Sequence, residues 1–227
     1  MTRLIDSEDD VREGIAALEA ADPRFTAIHA AAGTPPLRRR PGGFAGLISI
    51  VVSQQLSTAS AAAIWGRLSG AFDPFDHRAV LRARTAKLQR IGLSAPKIKT
   101  LKAIARAIDS EAIHFERLAS FSADEAHAML TAVHGIGPWT ADIYLLACLG
   151  HSDAWPAGDL ALQEAARLAF ALDARPNTKA MIPLAEPWRP WRGVAARLLW
   201  SYYRAMKGRE AAPIQPTTPG ELDGRSA

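Results

Sequence analysis

The most constraining feature of this chain is a pair of glycines around one apolar residue, followed at once by proline: His134-Gly135-Ile136-Gly137-Pro138-Trp139. Upstream, residues 122–132 read as a helix opened by Ser122, with Glu125 three residues on in a capping-box pattern. Downstream, Trp139, Ile143 and Leu146 recur at helical spacing. Pro138 suits the first turn of that second helix, where no amide hydrogen is needed. The stretch is therefore helix, tight hairpin, helix. Its glycines can take positive φ and let a foreign backbone come close. The amides that open the second helix point outward at the positive end of its dipole. Such a hairpin can cradle a phosphate, and it would hold a nucleic-acid backbone without reading bases. Most Gly-x-Gly turns are only turns, so the flanking residues decide.

Charge agrees with a polyanion partner. The 227 residues carry 27 basic and 23 acidic side chains, a net charge of +4. Between Arg78 and Arg106 all the charged residues are basic: Arg78, Arg82, Arg84, Lys87, Arg90, Lys97, Lys99, Lys102 and Arg106. The triplet Arg38-Arg39-Arg40 lies in a loop rich in proline and glycine, and reads as a disordered basic loop or a phosphate contact. The one cysteine, Cys148, excludes an internal disulfide and any all-cysteine metal or iron-sulfur site, and its apolar surroundings make it a small core residue. The histidines show no metal-ligand spacing. An acidic, polar N-terminus and the lack of a long apolar run point to a cytoplasmic protein, nucleoid-associated in a bacterium, with no membrane partner.

Apart from the hairpin, helical periodicity runs through residues 11–21, 44–52, 57–68, 78–90, 97–108, 161–172 and 188–206, with no strand alternation. The fold class expected is all-α, one domain over 1–207. Within it a central helical lobe spans about 57–150, and a second lobe combines the N-terminal segment with 151–207. Residues 208–227, rich in proline, glycine and charge, read as a disordered tail.

Two further segments carry chemistry. Gln54 and Gln55 interrupt an apolar helix, where unpaired amides would be costly; they satisfy loop carbonyls, or Gln55 projects outward. Asp159, after Pro156-Ala157-Gly158, opens another helix and is an N-cap candidate. The start of a helix favours an anion there, and an anion beside a sugar can stabilise the cation formed as a glycosidic bond breaks. Asp142 and Asp153 are nearby rivals that read as structural.

Three blocks, VHGIGPWTADIYLL with D-x-W-P-x-x-D, Q-Q-x-S-x-x-A-A, and G-L-S-x-x-K, together resemble the helix-hairpin-helix/Gly-Pro-Asp superfamily of DNA base-excision glycosylases. The likeness spans roughly residues 44–206 and is strongest to the compact form of the alkylpurine (3-methyladenine) branch. It implies a two-lobed bundle with the active-site cleft between the lobes and Asp159 as catalytic carboxylate. It implies a base pocket of Trp139, Trp200 and Tyr144, although Trp200 also reads as a packing residue. Gln55 would plug the gap left by an everted nucleotide, and Gly135, Ile136, Gly137 and Thr140 would join it in binding DNA. No cofactor is required; the backbone of Thr131, Val133 and Ile136 matches positions that hold a structural Na+ or K+ in the family. The implied partner is double-stranded DNA containing alkylated bases, met by a monomer.

Relatives that also cut the DNA backbone carry a lysine where this chain has Trp139. An indole cannot form a Schiff base, so water should be the nucleophile, and a flat cationic base suits the ring. The enzymes of broadest range have an extra N-terminal sheet domain and a second acid where this chain has Gly158. Two rival functions remain at this point: a glycosylase/lyase acting on oxidised bases through another lysine, and a non-catalytic binder of damaged DNA.

Overall fold

Helix α1 (Glu8–Ala21) starts from a reciprocal cap: Ser7 Oγ accepts from the Asp10 amide, and the Asp10 carboxylate accepts from the Ser7 amide. It buries Val11, Ile15 and Leu18, and α2 (Arg24–Ala32) buries Phe25 and Ile28. The structure is a computed structural model and describes residues 2–208, so the tail expected over 208–227 lies outside the described residues except at Gly208.

Helix α3 (Gly43–Ser53) is apolar almost all round, with Leu47, Ile48, Ile50, Val51 and Val52 fully buried, as suits a helix enclosed by others. After it come α4 (Thr58–Gly70), capped by the Ser57 hydroxyl, then α5 (His77–Arg82), α6 (Thr85–Ile91) and α7 (Ala95–Asp109). The single helix expected over 78–90 is broken at Ala83 and Arg84, both extended. Lys102 accounts for the break, because its Nζ donates to the carbonyls of Leu81 (2.7 Å) and Ala83 (2.6 Å). It thereby supplies the end of α5 with the donors that a continuing helix would have given. Lys87 does the same for α4, donating to Ala71 O at 2.7 Å. Arg78, Arg82, Arg84, Arg90, Lys99 and Arg106 remain exposed, so only part of the basic run faces solvent.

The chain continues through α8 (Phe115–Leu118), α9 (Ala123–Thr131) and α10 (Pro138–Tyr144) into a π-helical turn, Leu145–Leu149. The carbonyls of that wider turn find donors in the supposed basic loop and in the last helix. The Arg40 amide reaches Ala147 O (2.8 Å), Arg39 reaches Cys148 O (3.0 Å) and Arg197 reaches Leu146 O (2.9 Å). Arg39 thus belongs to the interior framework and is not an outward phosphate contact. Then follow α11 (Leu160–Ala169), α12 (Thr178–Ala185), a short 3-10 turn at Glu186–Trp188, and α13 (Arg192–Lys207).

Among the described residues the β structure is one isolated bridge, Leu4 to His151, and the fold is all-α. The helices pack in two groups. Helix α13 lies against α11, α2 and α1, while α3 lies against α4, α7 and α10, with α5 on α7 and α9 on α10. Packing therefore places α3 in the central group, ahead of the start near residue 57 that the sequence suggested. The groups are locked together where Arg192, nearly buried, binds Asp153 through Nε (2.8 Å) and Asp124 through a guanidinium nitrogen (3.2 Å). Arg189 joins the same two carboxylates, so Asp153 is an interior strut. No helix of the described residues is long and apolar enough to cross a membrane.

Candidate active site

Asp159 sits at the N-cap of α11, and its Oδ1 accepts from the Leu162 amide at 2.8 Å. The turn before it is shaped by Ala157 N to Trp155 O (2.8 Å) and Asp159 N to Pro156 O (2.9 Å). Gln163, one turn into α11 and buried, donates its Nε2 to Ala157 O at 2.9 Å and pins the turn from below. Two indoles then close on the carboxylate. Trp139 Nε1, from α10, donates to Oδ2 at 2.8 Å; Trp200 Nε1, from α13, donates to Oδ1 at 3.1 Å. The site thus draws one residue from the central group and two from the other, at their junction. All three bonds are N–H donors to an oxygen, so the carboxyl is held as an acceptor on both atoms. Asp159 is only 7% exposed and Trp200 3%, whereas Trp139 is half-buried.

Tyr144 does not line this site. It is 0% exposed, its hydroxyl accepts from the Gly43 amide at 2.9 Å at the start of α3, and its ring packs on Phe115. Burial pushes its phenol well above the ordinary tyrosine range. Every residue from Thr140 to Tyr144 is buried, so α10 has no open face there to lend to a pocket. Trp155 is likewise internal, its Nε1 donating to Met181 O at 3.0 Å. Cys148 is buried, which pushes its thiol up to about 12.

In the hairpin, Gly135 takes φ +86°, and a Cβ there would lie 2.0 Å from Thr100 Oγ1, so glycine is dictated by both backbone and neighbour. Gly137 has φ −84° and nothing within 4 Å of its would-be Cβ; both glycines are exposed. Two expected DNA-facing residues turn inward. Ile136 is buried and its amide donates to Val133 O at 3.0 Å. Thr140 is buried, with Oγ1 accepting from Gln54 Nε2 at 2.6 Å. His127 of α9 and Asp142 of α10 join the hairpin's helices at 2.8 Å. That bond raises the His127 imidazole above its ordinary value, while burial pushes the Asp142 carboxyl up. Asp142 is therefore structural, like Asp153.

Gln55 is exposed with φ +57°, a left-handed conformation unusual for a residue with a Cβ, and Leu56 beside it is 39% exposed. Lys97 approaches from below, Nζ donating to Val52 O (2.7 Å) and Gln54 O (2.9 Å); burial pulls its ammonium below the usual lysine value. Lys97, Gln163 and the tie between Gln54 and Thr140 are parts of the site that residue-by-residue reading missed. The signals for them were an amide pair and the lysine of the G-L-S-x-x-K block, neither of which shows its partners. Among the described residues no group of three or more His, Cys, Asp or Glu side chains could hold a metal.

A family model described as HhH-GPD superfamily base excision DNA repair protein matches residues 48–190, which contain the glutamine turn, the hairpin and Asp159. The chain belongs to this superfamily. Among proteins of known structure, it superposes on a DNA-3-methyladenine glycosidase from Bacillus halodurans with a TM-score of 0.77 and 27% identity, covering 92% of this chain and 94% of that one. Against a 3-methyladenine DNA glycosylase from Schizosaccharomyces pombe, solved in complex with abasic DNA, the TM-score is 0.73 at 27% identity, covering 85% and 95%. A Mycobacterium tuberculosis relative named "Probable bifunctional transcriptional activator/DNA repair enzyme AlkA" is 30% identical over 88% of this chain, but the match spans 41% of that protein's length. Trp200, which completes the grip on Asp159, lies outside the span matched by the family model.

Proposed function

We propose that this HhH-GPD protein is a monofunctional DNA glycosylase that hydrolyses the N-glycosidic bond of alkylated purines, chiefly N3-methyladenine and also N7-methylguanine. One observation carries the reading: a carboxylate at a helix start, clasped by two indole N–H groups, with one of those indoles partly open. The printed activities of the Bacillus and Schizosaccharomyces proteins support it.

The duplex is held by the exposed hairpin glycines and the amides that open α10, and the lesion is everted as Gln55 enters the space it leaves. The flat ring rests on Trp139, whose face favours a cationic base. Alkylation at a ring nitrogen already makes the base a good leaving group, so the protein's main task is at the sugar. Asp159 faces the developing oxocarbenium charge and orients the attacking water. Trp139 would therefore act twice, with its ring on the base and its N–H on the carboxylate. Trp139 stands at the position where lyase relatives carry a lysine, and an indole cannot form a Schiff base, so the product would be an intact abasic site.

The carbonyls of Thr131, Val133 and Ile136 are neutral oxygen donors at the end of α9 and in the hairpin, which suits Na+ or K+. Val133 O already accepts the Ile136 amide and retains one lone pair. A cation there would add positive charge facing a phosphate. No other cofactor is called for. The protein would work as a monomer in the cytoplasm, on the nucleoid if the cell is bacterial.

The test is incubation with methylated genomic DNA and mass spectrometry of the freed bases. N3-methyladenine in the supernatant is the expected result. A covalent adduct trapped by borohydride would instead favour a lyase, and absence of any released base would favour a binding protein.

A further inference from the structure

Helix α3 ends at a joint held by two other helices, α7 and α10. The joint is Gln54-Gln55, with Gln55 exposed in the left-handed region at φ +57°. A side chain with a Cβ stays in that region only when its surroundings fix it there. The last carbonyls of a helix lack intrahelical donors, and here α7 provides them. Lys97 Nζ donates to Val52 O at 2.7 Å and to Gln54 O at 2.9 Å. From the opposite side, Gln54 Nε2 donates to Thr140 Oγ1 at 2.6 Å, one residue from Trp139 in the first turn of α10.

A half-buried lysine stem could pack as well if it were methionine; what only the ammonium supplies is a charged donor to two carbonyls at once. Both carbonyls flank the bend that turns Gln55 outward. Losing the ammonium would leave the fold's apolar packing in place and release the bend.

We propose that Lys97 is a positioning residue for base eversion: it holds the Val52 and Gln54 carbonyls so that Gln55 stands ready to enter the duplex. The bond between Gln54 and Thr140 ties that posture to the helix bearing Trp139. Plug and base-stacking surface thereby move as one unit. The inference rests on the glycosylase reading and adds to it the residue that sets how readily a paired lesion leaves the helix.

Eversion of a well-paired base is costly, and costs least where pairing is already lost. Single-turnover base release is therefore measured on the same alkylated purine in two duplexes, one opposite its normal partner and one opposite an abasic gap. Lys97→Met should slow release about tenfold on the paired lesion and less than about threefold opposite the gap. Gln55→Ala should show the same split, and the double variant should be no slower than the slower single one. Lys97→Arg, which keeps charge and donors, should restore most of the rate. Thr140→Val cuts the second tie without touching Lys97 and should again affect the paired lesion more, so the test stands even if Lys97→Met does not fold. Equal slowing on both duplexes, or effects of Lys97→Met and Gln55→Ala that multiply, would overturn the proposal. If the unaltered protein releases no base from either duplex, the glycosylase reading falls and this inference falls with it.

Discussion

Trp139 Nε1 and Asp159 Oδ2 lie 2.8 Å apart, although the residues open different helices in different packing groups. This bond joins the hairpin to the carboxylate. On the proposed reading it would link placement of the reacting group to placement of the duplex.

Trp139→Phe keeps an aromatic face and removes the donor. A hydrogen bond to a charged group contributes about 1.5–3 kcal/mol. Release of an alkylated purine in a single turnover should therefore slow about tenfold to a hundredfold, with affinity for undamaged duplex little changed. A rate equal to that of the unaltered protein would mean the bond does not place the carboxylate.

The hairpin glycines should separate by stability. Gly135→Ala places a Cβ 2.0 Å from Thr100 Oγ1 at φ +86° and should cost about 1–3 kcal/mol in thermal or urea unfolding. Gly137→Ala, with nothing within 4 Å and φ −84°, should cost less than about 1 kcal/mol. Any weakening of DNA binding by the second variant then reports on the exposed backbone and not on the fold.

The hairpin's helices should also loosen with rising pH. His127 has its folded pKa raised above 6.5, first by the hydrogen bond it donates to Asp142 and against the opposing effect of burial, with the charges of Asp142 and Asp124 adding to the rise. Burial pushes Asp142 up, while His127 and Arg192 draw it back. A raised histidine contributes stability that is fully present below its unfolded value and lost as pH climbs through its folded one. His127→Gln should therefore lower the melting temperature more at about pH 6 than at about pH 9. An equal loss at both would show that the pair adds no charge-dependent stability.

Much of the all-α architecture was legible because its signals are local. Ser122 with Glu125, Ser57 and Asp159 each announce a helix start within a few residues, and the structure shows each as a cap. What escaped was set by partners far along the chain. The break between α5 and α6 depends on Lys102, and the glutamine bend on Lys97 and Thr140. Tyr144 misled for a different reason: the resemblance placed it at the pocket, but α10 is buried from Thr140 onward and Tyr144 turns to the start of α3. The same logic applies to the lysines, since charge reads as exposure while three ammonium groups in fact end helices.

On the proposed reading Asp159 would perform the chemistry and be dispensable for holding DNA. Asp159→Asn keeps the size of the side chain and an oxygen for the Leu162 amide, but removes the negative charge. Base release from methylated duplex and affinity for the same duplex are measured side by side on the variant and the unaltered protein. Release should drop by at least about a thousandfold while affinity stays within about threefold. Undiminished release by the variant would contradict it.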